Sequence, residues 1–239
     1  LKYLRVLWAI QLPLGTLLLA GGFGLNQIES RTWGGITLTL VLTISSAVAS
    51  LFIGIILALA RESPIKSIRL FCITYIDTVR AFPLITVLFF GQLLIPLFLP
   101  MDLEINRVAR AIIAFSLFTS AYIAEDIRGG LQSIPPAQRE AAEVLGFNER
   151  EIIQIVLLPQ ALRTAIPALT NQLIGLLQNT SLMAILGLVE IMGIGRSILA
   201  NPEFIGRYLE VYICLALIYW FLCTIIALIS YNLENKINL

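Results

Sequence analysis

Histidine is absent from the 239 residues, and lysine occurs only as Lys2, Lys66 and Lys236. Without histidine, imidazole acid–base chemistry and histidine-ligated metal sites are excluded. No lysine follows a glycine, so the chain has no Gly-Lys-Ser/Thr phosphate loop and no ATP site of that kind. Three cysteines, Cys72, Cys214 and Cys223, lie far apart in apolar sequence without a C-x-x-C spacing. They read as packing residues rather than redox or zinc ligands. Charge is scarce: 13% of residues are charged, 58% are hydrophobic, and the net charge is +1. A soluble domain carries roughly 25% charged residues. With a mean hydropathy of +0.90, there is too little polar surface to coat a globule of 26.4 kDa. Lipid is therefore the expected solvent. The near-neutral balance leaves no electrostatic footprint for nucleic acid.

What is abundant is uncharged apolar sequence. Five charge-free runs, 6–28, 32–60, 81–101, 164–189 and 211–233, are long enough to span a bilayer. A sixth, 111–124, reaches spanning length when extended to 108–127, which admits Arg110 and Glu125 near its ends. Runs such as 51–57 do not alternate polar and apolar residues, which argues against a β-barrel and for helices. The expected fold is an all-α polytopic membrane protein of about six spanning helices, forming one domain over 1–239. The run 6–28 reads as a helix rather than a cleaved leader, since Gly21-Gly22-Phe23-Gly24 offers no A-x-A site. Leu at position 1 suggests that residues upstream are missing.

Basic residues set the orientation. With the N-terminus inside, inner segments hold ten of them: Lys2, Arg5, Arg61, Lys66, Arg69, Arg128, Arg139, Arg150, Arg163 and Lys236. Outer segments hold five: Arg31, Arg107, Arg110, Arg196 and Arg207. Both termini are expected in the cytoplasm. Pro83, Pro96, Pro100 and Pro167 interrupt the apolar runs, and the polar cluster Gln178-Asn179-Thr180-Ser181 follows in the fifth. Broken helices are tolerated in lipid where they line a cavity or are buried by protein.

The segment 125–163 changes character. It carries Asp126, Glu140, Glu143, Glu149 and Glu151 and forms the one sizeable soluble stretch, with the loop proper at 133–150. Ser133 suits a cap, Pro135 and Pro136 a first helical turn, and Gln138 to Leu145 are good helix formers. Gly146 suits a C-terminal stop, which predicts a cytoplasmic helix of about 10 residues. Ala141 and Ala142 would let another surface approach closely, while Arg139 and Glu140 offer charge-assisted bonds.

These residues carry a resemblance. Glu140-Ala141-Ala142, three residues, Gly146, nine residues and then Val156-Leu157-Leu158-Pro159 resemble the EAA signature of ABC importer permeases, with Val156 at the usual isoleucine. The stretch from Tyr122 to Leu131 resembles the segment preceding that signature in polar amino acid permeases. Arg80-Ala81-Phe82-Pro83-Leu84 resembles their R-G-x-P-L motif, with Ala81 in place of glycine, and Asn179-Thr180-Ser181-Leu182 resembles their T-S-L break. The likeness runs over about 33–233 and is nearest to general L-amino acid permeases of the histidine/glutamine type.

The resemblance implies that Arg139, Glu140, Ala141, Ala142 and Gly146 form a coupling helix docking on a cytoplasmic ATPase. It also implies two such ATPase subunits, a second permease that is usually a paralogue, an extracytoplasmic binding protein and a bacterial inner membrane. ATP-Mg would sit on the ATPases, and this chain would bind no cofactor and catalyse no reaction. For the substrate pathway, Asn179, Thr180 and Ser181 at a helix break suit a carboxylate, and Glu190 suits an ammonium. The same serine and threonine also suit helix packing, and Glu190 suits interfacial water. Arg80 is expected to anchor the inner end of its helix. Glu125 and Arg128, spaced i, i+3, are expected to pair near a cytoplasmic gate. Asn171 and Gln172 either line the pathway or bond across a dimer. An ion-gradient-driven carrier is the alternative, with Glu190 as its coupling carboxylate.

Overall fold

The computed structural model describes residues 33–98, 100 and 105–237. Among the described residues, four helices are long and apolar enough to span a membrane. They are α1 (Gly35–Arg61), α4 (Arg107–Gln132), α6 (Leu158–Asn179) extended at both ends, and α8 (Tyr208–Ile237). Between α1 and α4 lie α2 (Lys66–Ala81), α3 (Leu84–Leu93) and a helical turn, Ile95–Phe98. α5 (Pro136–Val144) joins α4 to the α6 column, and α7 (Ile191–Leu199) precedes α8. Among the described residues the one β-type pairing is an isolated bridge between Gly35, at the start of α1, and Glu190. The expected helix at 6–28 lies outside the described residues.

The expected span at 81–101 is corrected. Its first residue, Ala81, ends α2, and α2 and α3 meet at a bend of 104°. Steric clash with the proline ring pushes the residue before a proline out of the helical region. Phe82 accordingly takes φ −86° and ψ 144° ahead of Pro83. The two helices together are long and apolar enough for one broken span or a re-entrant loop, and counting them as one span gives up to five among the described residues. Pro167, by contrast, does not break α6, which runs on to Asn179 and then tightens into a 3-10 turn, Thr180–Leu186.

α4 is the central helix: 56% of its apolar stretch is buried, against 11% for α8. Small residues let its neighbours approach. A Cβ on Gly54 of α1 would lie 2.5 Å from Ile123 Cγ2, and one on Gly130 would lie 2.5 Å from the Ala161 carbonyl oxygen of α6. Two apolar clusters fill the bundle. Leu38, Leu42, Leu88, Phe115 and Met183 pack far from α5. Leu57, Ala58, Cys72, Ile76, Ile123 and Ile127 pack nearer to it. A third cluster, Ala142, Ile152 and Leu157, seats α5 itself. α8 exposes Leu217, Trp220, Phe221 and Leu228, a face suited to an apolar surrounding.

Candidate functional site

The first candidate site is α5. Pro135 precedes it and Pro136 opens it, where the missing N–H leaves no bond unmade. Ser133 is not its cap, contrary to expectation; it ends α4, its hydroxyl donating to the Gly130 carbonyl at 2.7 Å. At the other end, Gly146 takes φ +83°. Its N–H donates to the Glu143 carbonyl at 3.0 Å, and Phe147 N–H donates to that of Ala142 at 3.1 Å. This pair of bonds is the Schellman termination that a left-handed glycine permits.

Ala142 is buried on Ile152 and Leu157, whereas Glu140 and Ala141 are exposed. Val144 is 88% exposed and Leu145 76%. Arg139 is turned inward on the loop, one guanidinium nitrogen bonding both Glu149 oxygens at 2.6 and 2.7 Å. Asn148 and Glu151 form a capping box that starts the next column. That column begins with one α-helical turn, Glu149–Glu151, passes through a π-helical stretch, Ile152–Leu157, and continues into α6. The Gln160 side chain donates to the Val156 carbonyl at 2.7 Å beside Pro159.

The second candidate site is a cavity of about 270 Å³ between α3, α4 and α6, with Thr119, Tyr122, Gln172 and Asn179 as its polar lining and Leu84 and Leu176 among its apolar walls. A more apolar cavity of about 220 Å³ shares Thr119, Gln172 and Leu176 with it. Gln172 donates from Nε2 to Asp126 Oδ2 at 2.9 Å. Of the four residues expected on the substrate pathway, only Asn179 lines this cavity. Thr180 is fully buried, its hydroxyl donating to the Leu177 carbonyl at 2.7 Å. Ser181 is half-buried in the 3-10 turn. Glu190 is fully buried rather than at a wet interface. It accepts from Met192 N–H at 2.7 Å, Gly193 N–H at 3.0 Å and the Tyr219 hydroxyl at 3.1 Å, capping α7. Of Asn171 and Gln172, Gln172 faces the cavity and Asn171 is exposed. Thr119 and Tyr122 were not singled out for the pathway by any local pattern.

Beside the cavity, Glu125 gathers three arginines. Arg61 Nη1 donates to it at 2.9 Å, Arg128 Nε at 3.0 Å with a second Arg128 contact, and Arg80 Nη1 lies at 3.6 Å. Arg80 is thus more than a helix-end anchor, and its guanidinium also lies 5.5 Å from the centre of the Tyr122 ring. The cluster ties α1, α2 and α4 together near the α5 end.

A broken-helix bundle, an exposed connecting helix with the EAA spacing and a small polar cavity define a membrane permease. The chain matches, over residues 50–239, the family described as binding-protein-dependent transport system inner membrane component. It belongs to that family, and its relatives are permeases of amino-acid ABC transporters. It is 40% identical over 233 residues to the inner membrane amino-acid ABC transporter permease protein YhdY of Escherichia coli K12, covering 97% of this chain and 64% of that one. It is 37% identical to the glutamate/glutamine/aspartate/asparagine transport system permease protein BztC of Rhodobacter capsulatus, covering 90% of this chain and 50% of that one. The chain therefore spans about half to two thirds of these relatives' lengths. It is 34% identical to the L-cystine transport system permease protein TcyB of Bacillus subtilis, covering 89% of this chain and 91% of that one. Among solved structures, an amino acid ABC transporter crystallised with histidines superposes with a TM-score of 0.75 at 29% identity, covering 84% of this chain and 92% of the other.

Proposed function

We propose that the chain is the membrane-spanning subunit of an ATP-driven importer that moves amino acids across the inner membrane by alternating access. Two separate ATPase subunits bind and hydrolyse ATP-Mg on the cytoplasmic side. A second permease, a paralogue, completes the pathway, and an extracytoplasmic binding protein delivers the amino acid. The bias of basic residues supports placing α5 and both termini in the cytoplasm.

The observation that carries this reading is α5: a short helix seated by Ala142 on the base of α6, with Val144 and Leu145 left exposed at its end. Exposed apolar residues on a polar segment mark an interaction surface. A push on α5 passes through Ile152 and Leu157 into α6, whose later turns carry Gln172 and Asn179 on the cavity wall. Glu140, Ala141 and Gly146 are the remaining parts of the docking element. In the cavity, Asn179 and Gln172 with Thr119 and Tyr122 are the polar groups available to an amino acid. Thr180, Ser181 and Glu190 brace the helix break behind them. Glutamate, glutamine, aspartate and asparagine, named for the Rhodobacter relative, are the first substrates to screen.

The test is a pull-down from detergent-solubilised membranes of a host expressing the partner subunits, comparing the intact chain with one in which 140–146 is replaced by Gly-Ser repeats. An ATPase that co-purifies with the intact chain and is lost from the variant supports the reading. An intact chain that purifies without any ATPase overturns it.

A further inference from the structure

We propose that Asp126 is a positioning residue for the cavity: it holds the Gln172 amide so that the carbonyl oxygen faces inward and accepts from the ammonium group of the transported amino acid. This rests on the reading of the cavity as the amino-acid pathway. A carboxylate only accepts hydrogen bonds, so the Gln172 edge that meets Asp126 Oδ2 at 2.9 Å is the nitrogen. The amide is planar, and its oxygen then points to the other side. Gln172 lines both cavities, and in this proposal the amide oxygen lies on their side. Without Asp126 the amide is free to turn over and present N–H groups, which repel an ammonium. The remaining polar lining adds no fixed anion: Thr119 and Tyr122 are hydroxyls, Asn179 is an amide, and Glu125 next door is taken up by Arg61, Arg80 and Arg128. A correctly turned Gln172 carbonyl is thus the acceptor in the cavity whose direction is set by a charged neighbour.

The inference is tested in proteoliposomes holding the complete transporter, with the amino acid taken up fastest of the twenty as probe and its α-hydroxy analogue as competitor. Asp126→Asn leaves an amide facing an amide, with either orientation allowed. Its KM for uptake is expected to rise about tenfold or more, the scale of one bond to a charged group, with the maximal rate little changed. Discrimination against the α-hydroxy analogue is expected to fall with it. The swap D126N/Q172E rebuilds the pair with donor and acceptor exchanged and returns an oxygen to the cavity. Its KM is expected within threefold of the parent. A single variant with unchanged KM, or a swap that does not restore it, overturns the inference. Should the single variant fail to assemble, the swap alone decides by the same threshold. Thr119→Val and Asn179→Ala separate the two readings. If these also leave KM unchanged, the cavity itself is not the pathway; if they raise it while Asp126→Asn does not, only the role of Asp126 falls.

Discussion

The phenolic O–H of Tyr219 on α8 donates to the fully buried carboxylate of Glu190 at 3.1 Å, across 29 residues of chain. The same carboxylate caps α7 through two backbone N–H groups, satisfying donors that a helix start leaves open. One residue earlier, the Val189 carbonyl accepts from Gly35 N–H at 2.8 Å, and one later, Ile191 N–H donates to Thr39 at 3.3 Å. Glu190 is therefore the knot that fastens α1, α7 and α8 at the end opposite α5. Tyr219→Phe removes one donor, and interhelical bonds of this kind in membranes contribute about 0.6 kcal/mol on average, up to ~1.7. Glu190→Ala removes all three acceptor contacts and is expected to lower the melting temperature of the detergent-solubilised complex more than Tyr219→Phe does. Equal shifts for the two would refute the knot.

Gly129 and Gly130 are neighbours on α4 with opposite surroundings. A Cβ at 130 would meet the Ala161 carbonyl oxygen at 2.5 Å, while one at 129 would meet nothing within 4 Å. Gly130→Ala must push α4 and α6 apart, and overpacking of this sort destabilises by about 1–3 kcal/mol. Gly129→Ala gains roughly 0.5–1 kcal/mol of helix propensity. Thermal melts of the two variants should move in opposite directions. Both moving down by the same amount would mean that α4 and α6 are not in close contact there.

Local features were legible in the sequence; partnerships between distant segments were not. The α5 helix and its glycine stop follow from residues within a few turns of one another, as does the Glu125–Arg128 pair at i, i+3. The interruption at Pro83 was legible, but the sharp bend it makes with the preceding helix was not, because the charges on Lys66–Ala81 keep that helix out of the apolar run. Arg61 reaches Glu125 from 64 residues away, and Thr119 and Tyr122 reach the cavity only because α3, α4 and α6 enclose it. Glu190 read as a partner for an ammonium, or as a group in interfacial water, because an ionisable residue beside an apolar run is a functional candidate by default. Only the backbone at Met192 and Gly193 and the hydroxyl of Tyr219 reveal its work.

Glu125 balances three guanidinium groups, and its loss differs in kind from the loss of any one of them. Side-chain exposures of 19–37% for Arg61, Arg128, Arg80 and Glu125 place the cluster between surface and core. Arg80→Ala removes the most distant partner, at 3.6 Å, and is expected to shift stability by less than about 1 kcal/mol. Glu125→Ala leaves like charges facing one another across α1, α2 and α4 and is expected to lose about 1–3 kcal/mol, short of the full penalty for a dry broken pair. Raising the salt concentration should narrow the gap, since screening relieves the repulsion between the arginines. Melting curves at low and high salt read this directly; a gap that does not change with salt would show that the cluster acts by packing alone.

Gly146 isolates backbone conformation from contact. At φ +83° it lies where a side chain is strained, yet a Cβ there would touch nothing within 4 Å. Gly146→Ala therefore acts only through the left-handed penalty, about 1–2 kcal/mol, and it acts on the two Schellman bonds that hold Leu145 and Phe147 at the end of α5. The spanning helices do not depend on those bonds, so expression and the melting of the bundle should be close to the parent's. What changes is the presentation of Val144 and Leu145, the exposed end of α5. Gly146→Ala is expected to lower uptake several-fold, Gly146→Asp and Glu140→Lys to abolish it, and all three to leave the amount of protein in the membrane unaltered. Normal uptake by Gly146→Asp and Glu140→Lys would remove α5 from the transport cycle. Loss of the protein from the membrane would instead mean that α5 serves folding, which its single buried residue, Ala142, argues against.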